Sequence, residues 1–136
     1  MNELEAIRRF EAGDVSGEFH HRDHVHVAWM YLKRFPLAEV LERFSRGVLQ
    51  LATLRGKPEM YHETITWALL FVIHDRIEER GVETSFDEFA RRNNDLLDWK
   101  GCLRRYYTQE ELDSDRARRR FVLPEPPCES RGEPES

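Results

Sequence analysis

The chain has 136 residues, 40% of them hydrophobic and 35% charged, with 7 Gly and 6 Pro, a composition that excludes collagenous, membrane-spanning and wholly disordered proteins. Its 26 acidic and 21 basic residues leave a net charge of −5, which argues against a dedicated nucleic-acid binder. Much of that charge belongs to the carboxyl end, because residues 121–136 hold four acids against one arginine and residues 1–120 carry only −2.

The amino-terminal MNELEAIRRFEAGD is charged throughout and lacks the apolar core of a signal peptide. Leu4, Ile7 and Phe10 form a helical stripe over residues 2–12, ended by turn residues from Gly13 to Gly17. A second helix is expected to start between His20 and Asp23 and to run to about Arg34. Pro36 suits the first turn of a third, whose apolar face runs from Leu37 to Leu51 and stops at Gly56. Pro58 repeats the device for a fourth helix over about 58–80. This one is apolar nearly all round between Ile65 and Ile73, which reads as the buried central helix, with Gly81 ending it.

Shorter elements follow. Ser85 with Glu88 and Thr108 with Glu111 have capping-box spacing, and Asp95 is a candidate cap for a segment carrying Leu96, Leu97 and Trp99. Phe121, Val122 and Leu123 form a last apolar patch, expected to dock as an extended segment. No alternating β-branched run is bounded by turns, so the expected fold is all-α: a compact bundle of about four longer helices with short helices at the carboxyl end. Residues 1–123 are read as one domain and 124–136 as a disordered acidic tail rich in Pro, Glu and Ser. The longest apolar run, Trp67 to Ile73, is too short for a bilayer, and the two cysteines, Cys102 and Cys128, have no zinc or disulfide-framework spacing. A cytoplasmic protein with no membrane or nucleic-acid partner is the expectation.

Chemistry is most concentrated in FHHRDHVHVAWMYL. Four of the six histidines, His20, His21, His24 and His26, fall there within seven residues. The pairs His20/His24 and His21/His24 each lie on one helix face, His26 points elsewhere as a surface residue, and Glu18 could add a carboxylate if its loop folds back. In YHETITW, His62 and Glu63 open the apolar fourth helix, a polar turn of the kind that lines pockets. His20 or His21, His24, His62 and Glu63 could together hold a divalent zinc, iron or manganese ion between two facing helices. Neither HExxH nor a repeated Glu-x-x-His is present. Without metal, His24, His62 and Glu63 are candidates for acid–base work on a small molecule, with Tyr31 or Tyr61 as a phenolic donor. A different class of reading is a non-enzymatic binding or interaction module in which the histidines are structural. Cys102 reads as a structural thiol, and the Arg104–Tyr107 and Arg116–Arg120 segments as parts of intramolecular ion pairs.

The segments HHRDHVHVAWMYL and MYHETITWALL, with DLLDWK, LRRYY and SDRARRRFVLP, resemble a family of small bacterial proteins of no established function in which HxxHVxxAWxYL and YHxT recur. The resemblance covers most of residues 19–124. It implies that the two histidine segments belong to one fold, and it assigns no reaction, substrate or cofactor to any residue.

Overall fold

The computed structural model describes residues 2–15, 19–83 and 85–124. Among them the fold is all-α, with no strand: α1 (Glu3–Glu11), α2 (His21–Arg34), α3 (Leu37–Leu54), α4 (Glu63–Arg80), α5 (Phe86–Arg92), α6 (Trp99–Leu103), α7 (Gln109–Asp113) and α8 (Asp115–Arg119). Two 3-10 turns, Pro58–Met60 and Asn94–Leu97, join α3 to α4 and α5 to α6. Glu18 and the tail from 125 onward, Cys128 included, lie outside the described residues.

Capping explains most boundaries. Asn2, Ser85, Thr108 and Ser114 each accept a backbone N–H of the first turn that they open, and Glu111 completes the Thr108 box by accepting from the Thr108 N–H at 2.8 Å. Gly81 takes φ 84° just past α4, a backbone angle that side chains with a Cβ rarely adopt. Four expectations shift. Pro58 opens a 3-10 turn rather than α4, so α4 begins five residues later with His62 as its N-cap. The cap of α6 is Asp98, because the Asp95 carboxylate is taken by Arg76 at 2.7 Å. Ser114 opens an eighth helix inside the segment read from its charges alone. Leu4 is 44% exposed, since α1 buries only Ile7 and Phe10.

Two apolar cores result, and α4 borders both. In the larger, α2 is the most enclosed helix: Val27 to Leu32 are all buried, surrounded by α1, α3, α4 and the Asn94–Leu97 turn. Complete burial of side chains such as Trp29, Leu70 and Ile73 stabilises the fold by about 1.5–3 kcal/mol each. Gly47 lets α1 approach α3; a Cβ there would stand 2.3 Å from a Phe10 ring carbon. The smaller core gathers Ala68, Leu103, Tyr107 and Leu112, with Ile65, Leu69 and Trp99 at its edge.

That second core is why α4 is apolar nearly all round. Leu70 and Ile73 face the larger core and Ala68 the smaller. The chain after α8 covers a third side, stacking Phe121 on Trp67 with ring centroids 5.5 Å apart. Thr64 holds this extended segment. Its hydroxyl donates to the Arg120 carbonyl at 2.8 Å and accepts from the Val122 N–H at 3.1 Å, while the Tyr107 hydroxyl donates to the Val122 carbonyl at 2.6 Å. No helix among the described residues is long and apolar enough to cross a membrane.

Candidate binding pocket

A cavity of about 540 Å³ opens where the two cores meet. The larger core lends it Val25, Ala28, Phe44, Leu70 and Ile73; the smaller lends Ile65, Leu69, Trp99 and Leu112. Polar groups enter this largely apolar wall at His21, His24, Tyr61, His62 and Thr66, with Lys100, Gln109, Asp113 and Arg118 from the carboxyl-terminal helices.

The proposed site residues divide sharply by place. His21 and His24, three apart on α2, both line the cavity, as the helical period requires. His20 is the exposed N-cap of α2, with its backbone N–H donating to the Asp23 carboxylate at 2.9 Å, and it is not part of the lining. His62 lines the cavity from the start of α4, but Glu63 does not; its carboxylate accepts a hydrogen bond from the Tyr61 hydroxyl. His26, expected at the surface, is half-buried, stacked on Phe86 with centroids 4.1 Å apart and planes 6° from parallel. His74 lies beside Glu78 on α4, away from the cavity.

Both nitrogens of His62 are engaged. Nδ1 accepts from the Ile65 N–H at 3.1 Å as a helix cap, which puts the proton on Nε2, and Nε2–H donates to the Leu112 carbonyl at 2.7 Å. The ring thereby ties α4 to α7, and burial lowers its pKa, keeping it neutral. His21 is half committed: Nε2–H donates to the Leu96 carbonyl at 2.8 Å, and burial likewise lowers its pKa. His24 differs from both. Among the described residues no hydrogen bond reaches its ring, and its closest aromatic neighbour, Phe19, meets it edge-on at 4.6 Å. Burial, the neighbouring His21 and the charge of Arg55 bring its pKa down to about 4, against the opposing pull of Asp23. His24 is therefore a neutral imidazole at pH 7.

No group of three or more His, Cys, Asp or Glu side chains that could hold a metal ion occurs among the described residues. The donor set read from the sequence is dispersed by ordinary local chemistry: His20 to a helix end, His62 to a cap and a carbonyl, Glu63 to a phenol.

What the sequence reading lacked was the third wall. Trp99 and Lys100 of α6, Leu112 of α7 and Arg118 of α8 come from three short helices whose meeting depends on tertiary packing. The sequence assigns Arg118 to an intramolecular ion pair, whereas its guanidinium donates to the Glu59 backbone carbonyl at 3.1 Å and meets no carboxylate among the described residues.

Fold and site together define an all-α protein with a cavity built between two cores of one chain. No family model, curated protein or solved structure matches the chain.

Proposed function

We propose that the chain binds a small molecule in this cavity, with His24 as the polar anchor. One observation carries the reading: a neutral imidazole, bonded to no described residue, lines an otherwise largely apolar space. Ligand sites have this character, predominantly apolar walls with a few polar groups that fix orientation, and about 540 Å³ falls in their usual range of about 300–1,000 Å³. A neutral imidazole offers one donor and one acceptor, so a guest hydroxyl, amide or carbonyl can pair with it.

Binding is favoured over the acid–base reading because a group with a pKa of about 4 is a weak proton acceptor at neutral pH. It is favoured over a shared metal because His62 and Glu63 would each have to give up a hydrogen bond made within the fold.

Imidazole NMR of the intact chain tests this against a mixed fragment library. Fragments that bind are expected to move the His24 ring signals, leave those of His62 in place, and lose affinity for His24→Leu. Hits that bind His24→Leu equally well overturn the reading. So does near-stoichiometric zinc, iron or manganese in untagged protein, which would restore the metal hypothesis.

A further inference from the structure

Donors and acceptors adjoin around the cavity. The His21 ring centroid stands 6.1 Å from that of Trp99, whose neighbour in sequence is Lys100. Arg118 bonds the Glu59 carbonyl, and the next two residues, Met60 and Tyr61, both line the space. The lining therefore has no separate donor and acceptor ends and gives a guest no preferred direction. It can still select a guest by the sign of its charge.

Lys100, Arg118 and Asp113 are the charged groups of the lining. Lys100 is exposed, with Nζ 5.6 Å from the Trp99 ring centroid. Asp113 is exposed too, and its carboxylate accepts from Gln109 at 2.9 Å. Of the three, Arg118 is the half-buried one. A guanidinium carries five N–H donors, and this one gives a single bond to the Glu59 carbonyl and meets no carboxylate among the described residues. Arg105 and Arg119, also in the carboxyl-terminal region, are paired with Asp95 and Asp115. The Arg118 charge reaches the interior. Burial is the main cause of the low His62 pKa, but of the two charges felt there Arg118 pushes it down more than Asp113 pulls it up. His21, lowered chiefly by burial, feels instead the negative charge of Asp98, so the positive field belongs to the Arg118 side.

We propose that Arg118 is the anion-binding residue of the cavity and that the guest carries a carboxylate. A guanidinium partly withdrawn from water and without a counter-ion is under-compensated, and a planar carboxylate matches its fork of donors. This rests on the pocket reading above and adds the sign of the guest.

Calorimetric titration of the full chain with benzoate, benzamide and benzamidine tests the sign, because these probes share a shape and differ in charge. Benzoate is expected to bind roughly fivefold to twentyfold more tightly than benzamide, between the effects of an exposed ion pair and a buried charged hydrogen bond. Benzamidine should bind most weakly. In Arg118→Met, benzoate should fall to the affinity of benzamide, with benzamide itself unchanged as a control on the pocket. Arg118→Lys, which keeps the charge, should retain part of the preference. The His62 ring supplies an independent readout. It is neutral at pH 7 with or without a guest, but its titration midpoint should rise when benzoate binds, because the anion offsets Arg118, and should not rise with benzamide. Equal binding of benzamide and benzoate, a preference for benzoate that survives Arg118→Met, or a His62 midpoint that benzoate leaves in place overturns the proposal. If the three probes bind alike and all lose affinity with His24→Leu, the sign of the guest is overturned and the pocket reading stands. Failure of all three at millimolar concentration, with neutral fragments still bound at His24, also overturns the sign alone. With no fragment bound either, both readings fall.

Discussion

His24 and His62 face one cavity from different helices and have opposite relations to the fold. His62 spends both nitrogens on backbone groups 3 and 50 residues away in sequence, so its ring is a joint between α4 and α7. His24 makes no hydrogen bond among the described residues and is held by burial and the edge of Phe19. The contrast shows that a histidine's availability for chemistry depends on how many of its nitrogens the fold has already used. Neither its burial nor its position in a cluster reveals this. Substitutions that remove one ring or the other are the direct way to break the comparison.

The largest effect is expected at His62. Replacing it by Ala removes the cap from the Ile65 N–H and the donor from the Leu112 carbonyl, leaving two backbone groups to find water or go unpaired. Urea unfolding should show a loss of about 2–4 kcal/mol, combining a lost cap with a lost buried hydrogen bond. His62→Asn should recover part of it, since Asn caps well but does not reproduce the reach to Leu112. A loss below about 0.5 kcal/mol for His62→Ala would show that the ring is not a joint.

Acid sharpens the comparison next. The His24 pKa is about 4 in the folded chain and about 6.5 when exposed, so the unfolded state binds the extra proton between those values. Stability from a neutral buried ring is full above about pH 6.5 and is lost as pH falls toward 4, by at most about 1.4 kcal/mol per pH unit. His21, His26 and His62, with pKa values also lowered mainly by burial, act in the same direction. Below that window the depressed carboxyl of Asp95, held down chiefly by its bond to Arg76, adds a further loss as it protonates. Urea midpoints at pH 7 and pH 5 should therefore fall less for His24→Leu than for the unaltered chain. Equal falls would place His24 in contact with bulk water.

Thr64 supplies an intermediate effect. Thr64→Val keeps the shape but removes the hydroxyl that serves both Arg120 and Val122. A cost of about 1–3 kcal/mol is expected. Loosening of Phe121 from Trp67 should register as a change in tryptophan fluorescence. An unchanged spectrum with unchanged stability would mean that the segment after α8 is held by its apolar side chains alone.

Helix class and most boundaries were legible because they depend on local patterns: the Thr108–Glu111 box, Gly56 and Gly81, and the stripe from Val40 to Leu51. The start of α4 was misplaced because Pro58 is equally suited to a 3-10 turn, and a histidine is an uncommon N-cap. The site was half legible. Spacing on α2 brought His21 and His24 to one face, and YHET supplied His62 and Tyr61. Hidden from any spacing rule were the carbonyls that use up the rings, Leu96 and Leu112, each at least 50 residues from its histidine in sequence. A backbone carbonyl leaves no mark in the choice of residue.

The smallest stability effect, and the most informative one, is expected for His24→Leu. Removing His24 leaves no hydrogen-bonded partner stranded among the described residues, and leucine extends the apolar lining already formed by Val25, Ala28 and Phe44. Stability at pH 7 should stay within about 1 kcal/mol of the unaltered chain, because replacing an unpaired polar group by an apolar one of similar size is close to neutral. A fold left intact while fragment binding disappears separates the two histidines by function. His62→Ala should weaken the fold, whereas His24→Leu should empty the site. If His24→Leu instead unfolds as readily as His62→Ala, the ring is a structural element like its counterpart, and the cavity has lost its anchor.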